Sequence, residues 1–177
     1  MLKTKAGEEN QMKKKTILSL LMTLAIFMLS ACSTPDDEEQ ERAYAGQADA
    51  YFVVFENLYE IDPGLNGDCE YIAFDLTNVK LEDTSPLIDL FQEFCDNNNY
   101  SLLLDDFEGL NQKGFIVDLY FPNGILIAFN DEALTNDTLV TAAQKWRSGL
   151  GAIGSEYTVK LVNSMWEITK TAKHWIS

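Results

Sequence analysis

Four acidic side chains are the first residues in this chain that could do chemistry. Asp105, Asp106 and Glu108 sit together, and Asp118 follows ten residues later. Paired carboxylates can act as acid and base on glycosidic or peptide bonds, provided a cleft raises the pKa of one of them. The order D-x-[DN]-x-[DN]-G of a calcium loop is absent, and Asp105 or Asp106 is equally suited to cap a short helix. His174 is the one histidine of 177 residues, so any Ser-His-Asp or Cys-His arrangement would have to use it. No serine stands in a nucleophile-elbow pattern. Cys69 and Cys95 form an even pair that permits one disulfide, with two free thiols as the alternative. Two cysteines and one distant histidine make no zinc site, and the sequence calls for no metal and no cofactor.

Gly149, Gly151 and Gly154 match G-x-G-x-x-G to the letter. A dinucleotide site needs a strand before that motif and a helix after it. A strand pattern follows here, so the glycines read as a turn between two strands. Trp146, Trp166 and Trp175 crowd the same region. Exposed, they could form a platform for sugars or a groove for a peptide; two of the three fall on apolar faces and read as core.

The third cysteine, Cys32, has a different setting. Met12-Lys13-Lys14-Lys15 is a basic start, Thr16 to Leu29 carries no charge, and small residues precede Cys32. This is the layout of an export signal whose apolar part falls short of a membrane span. Leu29-Ser30-Ala31-Cys32 resembles the lipobox of bacterial lipoproteins. The resemblance implies cleavage after Ala31 and a diacylglycerol on the Cys32 sulfur, and two or three acyl chains (palmitate among them) hold a protein stably on a membrane. Residues 1–31 are thus the expected signal peptide, 32–46 the lipidated cysteine with an acidic linker, and 47–177 one folded domain.

Translation is expected to start at Met12, because Gly7-Glu8-Glu9 can be encoded by a purine-rich ribosome-binding site. Amino-terminal sequencing of an uncleaved Cys32→Ala precursor should then give Met12-Lys13, and recovering Met1-Leu2 would exclude it.

Charge describes an acidic body, suited to cationic partners or divalent ions or simply to a soluble surface. The whole chain is formally −15, with 13 basic and 28 acidic residues. Loss of residues 1–31 removes five lysines and two glutamates, leaving −18. Such a field repels nucleic acid. The run from Ser33 to Arg42 has no large apolar residue and reads as an extended spacer.

The elements that must position these groups follow from periodicity. Ala48 to Ile61 carries apolar residues at helical spacing, ended by Pro63-Gly64. Glu70 to Leu76 reads as a strand. Ser85 as cap and Pro86 at the first turn open a second helix, stopped by Asn97-Asn98-Asn99. Tyr100 to Leu104 is a short strand, and Asp106 to Lys113 one or two helical turns closed by Gly114. Asn123-Gly124 predicts a hairpin pairing Phe121 with Leu126. Leu139 to Arg147 reads as a strand with Val140, Ala142 and Trp146 inward, and Lys145 and Arg147 in solvent. Asn163-Ser164 predicts a hairpin with Leu161 opposite Trp166, Lys160 opposite Glu167, and Thr158 opposite Thr169. The fold class is α+β, with N-terminal helices packed on one face of a mostly antiparallel sheet that ends in a β-meander.

Lys145 to Gly154, then Trp166-Glu167-Ile168 and Trp175-Ile176-Ser177, resembles the ending of a group of small exported proteins of Gram-positive bacteria. That resemblance implies a cell-envelope setting and no catalytic residues. The expected function is a non-enzymatic binding module, anchored at the cell membrane through Cys32 and engaging a protein or peptide. Its expected surface is Lys145, Trp146, Arg147, Gly149, Gly151 and Gly154. An envelope hydrolase using Asp105, Asp106, Glu108 or Asp118, or an immunity or inhibitor protein masking a cationic partner, are the alternatives.

Overall fold

A computed structural model describes residues 46–177. The signal segment, the lipobox with Cys32, the Met12 start and most of the acidic linker lie outside the described residues.

The first helix, α1 (Gln47–Glu60), forms where the helical period places Tyr51, Phe52, Phe55 and Leu58 on a buried side. Its start is closed by Asp49, whose carboxylate accepts the Gly46 N–H at 2.8 Å. Ile61 leaves the helix in extended conformation, Asp62 turns left-handed, and Pro63–Asn66 makes one 3-10 turn. Strand β1 (Tyr71–Asn78) follows, then α2 (Ser85–Asn97), in which Ser85 is the first helical residue and not the cap. Strand β2 (Ser101–Leu104) returns parallel to β1. Asp106 caps α3 (Phe107–Gln112) by accepting the Gly109 N–H at 2.7 Å. Then come β3 (Gly124–Leu134), β4 (Thr138–Ser148), β5 (Gly151–Val162) and β6 (Met165–Ile176).

One six-stranded sheet results, in the order β2-β1-β3-β4-β5-β6. The last four strands are the expected antiparallel meander. The fold is mixed α/β with antiparallel pairing predominant. The parallel ladders that β1 makes with both β2 and β3 were not foreseen.

Two apolar clusters hold these elements. Ile72 and Phe74 of β1, with Ile125, Ile127 and Phe129 of β3, join the side chains of α1 and α2 in the larger cluster. Ala73 and Leu126, which alternate with them, join Leu110 of α3, Ile116 and Phe121 in the smaller one. Alternate residues of a strand point to opposite faces, so both faces of β1 and β3 are covered at this level. Phe91 lies flat on Phe74 with ring centroids 3.7 Å apart, and Phe55 meets Phe94 edge-on at 4.7 Å.

Three expectations are corrected. Asn123-Gly124 makes no hairpin. Gly124 opens β3, and the Asn123 carbonyl accepts the N–H groups of Glu70 and Tyr71. The tight turn falls at Asp118-Leu119, both left-handed, between bridged Val117 and Tyr120. In β4 the buried residues are Leu139, Thr141, Ala143 and Lys145, so the inward phase is the opposite of the expected one. The Asn163-Ser164 hairpin has the expected pairs down to Val159–Ile168, with both turn residues left-handed. A bulge then slips Thr158 onto Lys170 in place of Thr169.

Because Phe91 is fully buried at the centre of this aromatic stack, Phe91→Ala should lower unfolding free energy by about 3–5 kcal/mol in urea titration. A loss below about 1 kcal/mol would mean that the packing is not as described.

Candidate functional site

The expected surface residues separate into two sets. Lys145 is wholly buried. Its Nζ donates to the carbonyls of Tyr59 (3.0 Å), Ile61 (2.5 Å) and Asp62 (3.1 Å) and to Asn66 Oδ1 (3.0 Å). These carbonyls close the C-terminal end of α1 and the turn after it, where backbone acceptors have no helical partner. Arg147 extends the same role. Its guanidinium donates to the carbonyls of Leu65 (2.9 Å), Gly67 and Pro122 (2.9 Å). Both cations were expected in solvent. Their long stems cross the buried face, and their heads meet orphan carbonyls instead. Lys145 is not available to a partner, and Arg147, half-buried, spends three of its five N–H groups inside the protein.

Trp146 sits half-buried, edge-on to Phe107 of α3 at 5.0 Å. The three glycines differ. Gly149 is open on all sides at the tip of the β4–β5 turn. A Cβ on Gly151 would come within 2.9 Å of Ser148 Oγ and 3.2 Å of the Leu65 side chain. A Cβ on Gly154 would stand 2.6 Å from the Trp175 ring. Gly154 is therefore glycine so that the indole of Trp175 can lie directly on the strand.

The acidic group does not converge. Asp105 pairs with Lys113 at 2.6 Å, Asp106 caps α3, and Glu108 accepts from Gln112 at 2.9 Å. Asp118 occupies an exposed turn. Cys69 and Cys95 are free thiols, the first half-buried and the second fully buried. Burial pushes the Cys95 thiol up to about 12 and raises Cys69 as well. Sequence reasoning missed one contact: Ser155 Oγ lies 2.7 Å from His174 Nδ1 across β5 and β6. Ser155 is buried, and no carboxylate partners the histidine among the described residues, so the pair lacks the third member of a triad. Among the same residues no group of three or more His, Cys, Asp or Glu side chains could hold a metal ion.

What the strands do build is a groove on the sheet face opposite Lys145. Pairing sets Asp75, Ala128, Gln144, Gly154 and Trp175 in one row across five strands. The next row is Asn78, Asn130, Ala142, Glu156 and Ala172. Alanine and glycine make the floor. The side chains that rise from it are carboxylates, amides and one indole. A cavity of about 310 Å³ is lined by Asp75, Asn78, Asn130, Gln144 and Trp175. A second, of about 210 Å³, shares Asn130 and Ala142 with it and adds Asp131, Glu132 and Glu156. No lysine or arginine is among the described residues that line either.

Asp131, paired with inward Thr141, turns its carboxylate to the α1 side, where one oxygen accepts from the Tyr51 hydroxyl and from the Lys80 N–H at 2.7 Å. Burial is the largest cause raising the Tyr51 phenol far above its ordinary pKa, so it stays a donor. The other Asp131 oxygen is buried with no partner.

In comparisons with known protein families, curated protein sequences and solved structures, the chain finds no match in any of the three. The groove must therefore be read from its own chemistry.

Removing the Lys145 ammonium leaves the Ile61 carbonyl and Asn66 Oδ1 without their donor, while the Tyr59 carbonyl keeps Asn66 Nδ2 and the Asp62 carbonyl keeps the Leu65 N–H, so Lys145→Met should lower stability by about 3 kcal/mol in urea titration at pH 7. Burial holds the Lys145 pKa down at about 8, against 10.5 ordinarily. Between those values the unfolded chain binds more protons than the folded one, so this lysine's contribution to stability rises with pH. The stability gap between wild type and Lys145→Met should widen from pH 8 to 10.5; a gap that narrows would reverse the sign argued here.

Proposed function

We propose that this chain is a lipid-anchored, extracytoplasmic binding module of the bacterial cell envelope, without enzymatic activity, and that it engages its ligand on the open sheet face. The observation that carries the reading is the groove between Trp175 and Asp75. It is a depression lined by three amides that make no hydrogen bond within the described residues, and no group of three or more His, Cys, Asp or Glu side chains among those residues could hold a metal ion. The lipobox resemblance at Leu29-Ser30-Ala31-Cys32 and the acidic run after it support the anchor and the location. Among the described residues no helix is long and apolar enough to cross a membrane. The C-terminal resemblance to small exported proteins of Gram-positive bacteria supports the same setting.

The binding surface first expected shifts. Lys145 leaves it, because its ammonium is buried and spent inside the protein, and Arg147 leaves it as a cation committed to three backbone carbonyls. Gly154 remains as the seat of Trp175. Hydrolysis by Asp105, Asp106, Glu108 or Asp118 has no support from geometry, since each is engaged or exposed on its own.

Two measurements in the native host test the proposal. Mass spectrometry should find a diacylglycerol on Cys32, and Cys32→Ala should release the protein from the membrane. A photo-crosslinking side chain at Gln144 should capture an envelope component, while one at exposed Asp89 of α2 should not. An unmodified Cys32 thiol, or equal capture at both positions, would overturn the reading.

A further inference from the structure

We propose that the groove binds a linear chain of pyranose sugars, uncharged or bearing amines, with Trp175 as its stacking platform. This rests on the reading of the chain as a binding module and names that module's ligand.

A pyranose ring presents an apolar C–H face and a rim of hydroxyls that both donate and accept. Its receptor needs a flat aromatic surface beside groups of the same dual capacity. Trp175 supplies the surface. It is 44 % exposed although it lies on the sheet, and Gly154 beneath it leaves no Cβ to lift the ring. Asn78, Asn130 and Gln144 supply the dual groups. Each carries one acceptor oxygen and two donor hydrogens, and none of the three side chains makes a hydrogen bond within the described residues. Asp75 adds an acceptor at the first row.

Three other ligand classes fit less well. A peptide strand would need free backbone groups, and at the two rows those of β3, β4 and β5 are committed to ladders on both sides. The alanine floor offers no apolar pocket for large side chains. A phosphate or other polyanion would meet the Asp75 carboxylate, and no lysine or arginine is among the described residues lining the groove.

Dimensions favour a chain over a single sugar. From Trp175 on β6 to Asp75 on β1 the row crosses four inter-strand spacings, roughly 19 Å. The groove lies open along that length and can be threaded by a polymer without a free end.

The test uses the full-length protein in mild detergent and three tetrasaccharides as probes: β-1,4-linked N-acetylglucosamine, β-1,4-linked glucose and α-1,4-linked glucose. At least one should change tryptophan fluorescence saturably, with the signal confirmed by calorimetry. Trp175→Ala should weaken that binding by about tenfold or more, and Gln144→Ala by about threefold. Gly154→Val, which dislodges the indole, should behave like Trp175→Ala. Unchanged unfolding midpoints for Trp175→Ala and Gln144→Ala will show that the fold is intact. No saturable response to any of the three sugars, or equal binding by Trp175→Ala, sinks the proposal. If Gln144 still crosslinks to an envelope component in cells while no sugar binds, the glycan inference falls and the binding module stands. If neither occurs, both fall.

Discussion

One ammonium group, Nζ of Lys145, joins the end of the first helix to the fourth strand. Helix ends leave carbonyls without partners, and a buried end must be given donors. Here no residue of α1 itself supplies them, and β4 reaches across to do so. That demand sets the phase of the strand. With Lys145 turned inward, Leu139, Thr141 and Ala143 turn inward too, and Ala142 and Gln144 face the other side. Arg147, two residues on, takes the carbonyls that follow and ties Pro122 to the same strand. The make-up of the open face is thus a consequence of where a helix needed to be capped.

This coupling explains why part of the fold was legible in the sequence and part was not. Both long helices follow from apolar spacing, because each buries one continuous side. The Asn163-Ser164 hairpin follows from local turn chemistry, and the sheet edge makes no competing demand on it. Asn123-Gly124 carries the same kind of local signal and fails, because the Asn123 carbonyl serves the first residues of β1. A pattern two residues long cannot reveal a partner fifty residues away. Lys145 and Arg147 misled for a related reason: charge predicts solvent unless something buried requires a cation, and helix α1 does.

The candidate site was only faintly legible. Gly154 and Trp175 stood out singly, as a member of a glycine motif and as one of three tryptophans. Their contact, which explains both, appears only once β5 and β6 are in register. Asp75, Asn78, Asn130 and Gln144 gave no signal, because a polar residue that faces a ligand alternates along a strand just as one that faces water does. Asp105 and Asp106 gave the loudest signal and turned out to serve an ion pair and a helix cap.

The two unjoined cysteines bear on how the protein matures. Cys95 is sealed in the core, and Cys69 is held as a thiol by its surroundings. A fold secured by packing alone requires no oxidant and no isomerase. It can assemble wherever the chain emerges, and its integrity is indifferent to the redox state of its surroundings. That independence removes one external condition from the survival of the fold.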